Sequence, residues 1–248
     1  MLSESIEIIE KKPVPSGATM IIGLPDVGLV GLIATSYIVS EFKLEEIAYM
    51  DSDLLPPVVV LHNGLPHAPL RIYGNQKIIA IISELAVPAP EIYTIMRRLV
   101  DWGQGKKVKR IVTMGGIPVE NRQFIKEPEV FGIASNQELI DVLNKKGVKI
   151  MNEGYMAGPQ ALSMRYSVNK KIPSIALLAQ AFYNFPDPEA AAMALRELAN
   201  VINVRLDTSK LLEKGEEIRL KARDVMKRTQ QEMNRMPKSQ EYDLPLYV

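Results

Sequence analysis

The sequence predicts an α/β domain: a mostly parallel or mixed sheet flanked by helices, continued by a long C-terminal helix and a flexible tail. Three observations carry this. Short, nearly unbroken apolar runs such as 18–22 and 173–179 read as strands buried on both faces. Longer segments between such runs place apolar residues near helical spacing and are bounded by glycine or proline. The two kinds alternate, as they do when helices cross over between parallel strands.

In chain order, residues 18–22 form the first of these strands. The turn Gly23-Leu-Pro-Asp-Val-Gly28-Leu-Val-Gly31 follows, and 29–42 reads as a helix through Leu29, Leu32, Ile33, Tyr37 and Ile38. Residues 47–50 and 58–61 are strand candidates separated by Leu54-Leu-Pro-Pro57. Residues 70–73 and 77–83 flank Gly74-Asn75, a tight-turn signal, and read as a hairpin. The segment 47–83 therefore adds antiparallel strands to the sheet. Pro88 and Pro90 start a helix that runs to about Trp102 and is stopped by Gly103 and Gly105. Residues 108–114 form a strand ended by the loop Gly115-Gly116-Ile117-Pro118. Another strand spans 130–134, and Ser135 or Asn136 caps a helix that Gly147 ends. A short strand at 149–152, a helix opened by Gly158-Pro159, the strand 173–179 and an alanine-rich helix at 189–204 complete the body.

Beyond Leu206 charges dominate, and 210–235 reads as one long helix with favourable Glu217/Lys221 and Asp224/Arg228 pairs. A weak heptad runs through Leu211, Gly215, Ile218, Ala222, Val225, Thr229 and Glu232. Such a helix either lies on the sheet domain or forms an arm that packs against copies of itself. The expected organisation is an α/β core at 1–206, a helical arm at 207–235 and a disordered tail at 236–248.

With 248 residues, 47% of them hydrophobic and 24% charged, the chain has the make-up of a soluble globular protein. A net charge of +1 supplies no global field for nucleic acid or anionic membrane. The lack of cysteine excludes disulfides and thiolate metal sites. No apolar run reaches the roughly 18–20 residues of a membrane span. Residues 1–10 carry Glu4, Glu7 and Glu10 and no basic region of a signal peptide, so the expected location is cytoplasmic.

Several segments invite chemistry. The turn at 23–31 has the GxxxxG spacing of a phosphate loop, but Leu29-Val30 stand where lysine and serine or threonine belong. Its amides could still hold an anion, or its glycines could serve a tight turn and close packing. Gly115-Gly116 also follows a strand, and Glu84, Glu120, Asn121 and Arg122 carry groups suited to a sugar or nucleobase. His62 and His67 lack the further ligands of a zinc site, and Asp51 and Asp53 read as loop charge. No nucleophile elbow is present. No catalytic residue, cofactor or metal ligand is assigned. The tail differs in kind: Pro237, Pro245 and polar residues lead to Leu246-Tyr247-Val248, an apolar and aromatic tip on a segment unsuited to a core. It reads as a plug for another protein's pocket, or as a fray on its own domain.

The α/β body, the turn at 23–31, Gly115-Gly116-Ile117-Pro118 and Gly154-Tyr-Met-Ala-Gly158-Pro159 resemble the proteasome-assembly-chaperone family, in particular its archaeal homologues. The resemblance covers about 16–203 and implies a Rossmann-like, phosphorylase-like sheet. Leu246-Tyr247-Val248 is similar to the hydrophobic-Tyr-any (HbYX) motif of proteasome activators and assembly factors. The resemblance implies that Leu246, Tyr247 and Val248 dock into pockets of the 20S proteasome α subunits, without nucleotide and without catalysis. It also implies a homo-oligomer, a tetramer or pentamer. The alternative is a nucleoside-phosphorylase-like small-molecule enzyme using the glycine-rich loops.

Overall fold

The structure, a computed structural model, describes residues 6–235. The chain enters through β1 (Ile6–Glu10) and β2 (Thr19–Gly23), makes a 3-10 turn at Val27–Leu29 and continues into α1 (Val30–Glu41). Next come β3 (Glu45–Ser52), the small hairpin of β4 (Val60–His62) and β5 (Leu65–His67), then β6 (Leu70–Gly74) and β7 (Ile78–Ser83). α2 (Ile92–Gly105) leads to β8 (Arg110–Pro118) and β9 (Val130–Ala134). α3 (Gln137–Lys145), β10 (Lys149–Ile150), α4 (Gly158–Asn169) and β11 (Ser174–Ala181) follow. α5 (Pro188–Ile202), α6 (Ser209–Glu213) and α7 (Gly215–Arg235) complete the described residues.

Nine strands form one sheet in the order β1-β3-β6-β7-β2-β8-β11-β9-β10, with β4 and β5 paired separately. β7, β2, β8 and β11 run parallel at its centre. β6, β3 and β1 extend one side antiparallel, and β9 pairs antiparallel with β11 on the other. A parallel centre is covered on both faces, which is why its strands read as unbroken apolar runs. Every residue of β2 and β7 is buried. The two-residue period of a strand then sorts the side chains. Ile21, Val112 and Leu177 join the core under α1 and α5, whereas Met20, Ile22 and Ile111 join the core under α2. Each such side chain contributes about 1.5–3 kcal/mol by leaving water.

Connections from β2 and β8 diverge. β2 leads through α1 to β3 on one side of the sheet, and β8 leads to β9 and β10 on the other. The border between these two strands is the topological switch point, where open α/β sheets form a crevice.

The mixed sheet and its antiparallel β3, β6 and β7 are as the sequence predicts; β1 is a further strand of it, whereas the expected strand at 58–61 becomes β4, which pairs with β5 apart from the main sheet. Two boundaries differ for physical reasons. Gly115-Gly116-Ile117-Pro118, expected as a loop, is the second half of β8 and stays paired with β11 up to Pro118 and Ala181. The glycines there make room for neighbours, not for a turn. α2 begins after its prolines and includes Gly103, whose missing side chain admits Met20 Cε, 2.7 Å from where a Cβ would stand.

The C-terminal segment is two helices rather than one, broken at Lys214. The heptad residues find their partner in the same chain. Leu211 is in the core, and Ile218, Ala222 and Val225 pack against it beside Met226. Arg219 donates to both oxygens of Glu189 on α5 at 2.7 and 2.6 Å, and Glu232 Oε2 accepts from Ala89 N at 3.0 Å. Of the two readings of this helix, the described chain shows it lying on the sheet domain, with Ile218, Ala222 and Val225 partly buried there.

α1 crosses β8 at Gly31, where a Cβ would stand 2.4 Å from the Met114 carbonyl oxygen. Gly31→Ala should therefore cost about 2 kcal/mol of unfolding free energy, because backbone must move to admit it. Gly105 has nothing within 4 Å of an added Cβ, and Gly105→Ala should be neutral or stabilising within about 0.5 kcal/mol. Urea titrations of both variants check the contrast; equal effects would refute the close crossing.

Candidate functional site

β2 ends at Gly23, and the chain turns through Leu24 and Pro25 to Asp26 at the switch point. Asp26 is buried. Its Oδ2 accepts from Gly116 N at 3.1 Å and from Gln160 Nε2 at 2.7 Å, and its Oδ1 accepts a long bond of 3.4 Å from Gly31 N. Gln160 Nε2 also donates to the Met114 carbonyl at 3.2 Å. One carboxyl thus joins the turn after β2, the start of α1, the middle of β8 and the first turn of α4. Gly115 makes the approach possible: a Cβ there would stand 2.4 Å from Gln160 Nε2 and 2.6 Å from Asp26 Oδ2. Gly28, at φ +64°, turns the chain back toward α1.

Three hydrogen bonds to the carboxylate favour its charged form, but burial opposes it more strongly. Loss of water pushes the Asp26 pKa from 3.8 up to about 8. At neutral pH the carboxyl is therefore held as a neutral acid.

Above Asp26 lies a cavity of about 640 Å³. Asp26, Gly116 and Gln160 are at its base, and the segment 151–157 and the start of α2 form its sides. Met233, near the end of α7, contributes to its rim.

The other predicted groups are engaged elsewhere. Arg122 is buried and grips Asp187 with two bonds, Nε to Oδ2 at 2.7 Å and Nη2 to Oδ1 at 2.8 Å. Its Nη1 donates to the Ile125 carbonyl at 2.6 Å. Asp187 caps α5 by accepting from Ala190 N at 3.0 Å, so this pair anchors a helix and a loop. Glu84 pairs with Arg71, and His62 Nε2 lies 2.8 Å from Arg71 Nη2 and 3.1 Å from Glu84. His67 Nδ1 is 3.4 Å from Glu46. The histidines thus fasten the β4–β5 hairpin to the sheet. Burial, then Arg71, lowers the His62 pKa. Glu84, Glu120, Asn121 and Arg122 do not line the cavity and form no joint site. Among the described residues no group of three or more His, Cys, Asp or Glu could hold a metal ion. Leu246, Tyr247 and Val248 lie outside the described residues.

Asp26 and Gln160 were overlooked in the sequence. The available signal was an acid inside an apolar, glycine-bounded turn; nothing marked Gln160 as its partner. The amides at the 23–31 turn and at Gly116 do hold a carboxyl, but it is the chain's own.

Because its proton is kept in the fold and lost near 3.8 in the unfolded chain, Asp26 contributes stability that is fully present below about pH 4 and is lost as pH rises towards 8. Asp26→Asn keeps a neutral side chain and should lack that loss. Denaturant unfolding from about pH 4 to about pH 8 should show the balance moving in favour of D26N as pH rises. Parallel profiles for the two proteins would show that Asp26 is ionised in the fold.

The model of the PAC2 family matches residues 20–226. An uncharacterised protein of Methanocaldococcus jannaschii is 28% identical over 246 residues, covering 99% of each chain. Among solved structures, Pyrococcus furiosus PbaA, described as an archaeal homolog of proteasome-assembly chaperone, is 27% identical with a TM-score of 0.86. That match covers 92% of this chain and 99% of PbaA. Pyrococcus furiosus PbaB, described as an archaeal proteasome activator, shares the fold at 21% identity and a TM-score of 0.76, covering 90% and 99%. The family match spans Asp26, the glycine pair facing it and the helix that carries Gln160, and the chain is a member of the PAC2 family.

Proposed function

We propose that this chain is a proteasome assembly chaperone or ATP-independent proteasome activator whose Leu246-Tyr247-Val248 segment docks into pockets of the 20S proteasome α ring. The observation that carries it is the meeting, on one chain, of a PAC2-family body and a hydrophobic-Tyr-any tripeptide. Similarity to PbaA over nearly the whole chain supports the same reading. The partner is then the set of α subunits of the 20S proteasome, and the setting is cytoplasmic. Among the described residues no helix is long and apolar enough to cross a membrane.

The chemistry of the tripeptide suits the task. Tyr247 brings a large ring and a hydroxyl that needs a partner, Leu246 fills an apolar slot, and Pro245 limits the conformations lost on binding. Three residues bind weakly alone. In a homo-oligomer, a tetramer or pentamer in this reading, several tails raise one another's local concentration to about millimolar. No catalytic group is needed. The nucleoside-phosphorylase-like alternative draws on the glycine turns, but the Gly31 and Gly116 amides there are directed to Asp26.

Removal of residues 246–248 should abolish co-sedimentation with 20S proteasome while the fold and oligomer size persist. Tyr247→Ala should cost about 2 kcal/mol per engaged site, read as a shift in half-saturation. Undiminished binding by the truncated protein would rule out the tripeptide as the contact.

A further inference from the structure

We infer that the cavity above Asp26 is a binding site for an uncharged aromatic small molecule, separate from the proteasome contact proposed above. Position is the first argument. The cavity lies beyond the end of β2 and beside the last residues of β8, Gly116 to Pro118, at the switch point where sheets of this architecture receive ligands. Its volume of about 640 Å³ falls within the roughly 300–1,000 Å³ of small-molecule sites.

The walls specify the class. Ile92, Leu162, Leu178, Met151, Met156 and Met233 present apolar and thioether surface, which suits a flat ring. Tyr93 and Tyr155 stand at the mouth, each more than two-fifths exposed. Glu153 and Arg165 are charged lining residues of opposite sign, both exposed, so the pair sets no preference for an ion. At the base, Asp26 is a neutral acid at neutral pH. A charged ligand would lose its water there and find no buried counter-charge.

One polar feature completes the site. The first amides of an α-helix have no acceptor within the helix. In α4 no side chain caps them, since Ala157 occupies the cap position and the Gln160 side chain is turned toward Asp26. The Gln160 backbone amide can therefore take an acceptor atom on the ring, such as a carbonyl oxygen or ring nitrogen.

The uncharged fluorophore N-phenylnaphthylamine tests this on the full-length protein. Its emission should rise to saturation. Ala161→Trp and Met156→Trp, which fill the cavity from α4 and from the 151–157 segment, should each weaken binding by roughly tenfold or more. Two variants guard against a misfolded one, and circular dichroism identifies it. The hairpin exposes Leu61 at 67% and Leu65 at 63%, a competing apolar patch. A Leu61→Ser, Leu65→Ser double variant should leave the signal unchanged. No saturable signal, or loss of it in the hairpin variant but in neither tryptophan variant, would overturn the site. Tighter binding of the anionic anilinonaphthalenesulfonate would overturn the uncharged class.

Discussion

Just past the end of β2, a single buried carboxyl takes hydrogen bonds from Gly31, Gly116 and Gln160. These groups are up to 134 residues from Asp26 in the chain, yet they converge on two oxygen atoms. The convergence constrains everything around it. β8 must carry glycine at 115, because a side chain there would strike the Asp26–Gln160 pair. α1 must carry glycine at 31, because it crosses against the Met114 carbonyl, which Gln160 also contacts. An unpaired buried carboxyl would be costly, so the three donors and the retained proton are what make this arrangement tolerable.

The same constraint shapes the cavity. Asp26 ties the start of α4 down to β8, and the segment 151–157 rises beside it. The Arg122–Asp187 pair performs a parallel task on the other side of the loop after β8. It joins that loop to the cap of α5, and Asp187 N in turn donates to the Gly28 carbonyl at 2.8 Å. Two buried acids thus bracket the turn at 23–31, one neutral and one paired with a guanidinium. The turn keeps its shape through these partners.

α7 links the body to the proposed contact. Its apolar stripe packs, partly buried, on the core of the same chain, and its last turns reach the cavity rim through Met233. The helix therefore lies on the body. In the proposed reading, affinity for the proteasome comes from the tripeptide, and the body's work is to hold several copies in register.

Much of the fold was legible in the sequence, because burial leaves periodic marks. The apolar runs of β2, β7 and β11 and the prolines and glycines at helix ends are local signals, set by backbone geometry and loss of water within each segment. The tripeptide 246–248 is likewise a sequence observation, and its proposed role rests there. The candidate site was not legible, because it is made by pairs distant in the chain. Asp26 sits unmarked within a glycine-bounded turn, Arg122 reads as one of several polar groups suited to a ligand, and Gly115-Gly116 reads as part of a loop. Only the assembled sheet brought Asp26 to Gln160 and Arg122 to Asp187 and passed β8 through its glycines. Hydrogen bonds between remote segments leave no period in a sequence, so folding itself decided which acid is neutral, which cation is buried and where the cavity lies.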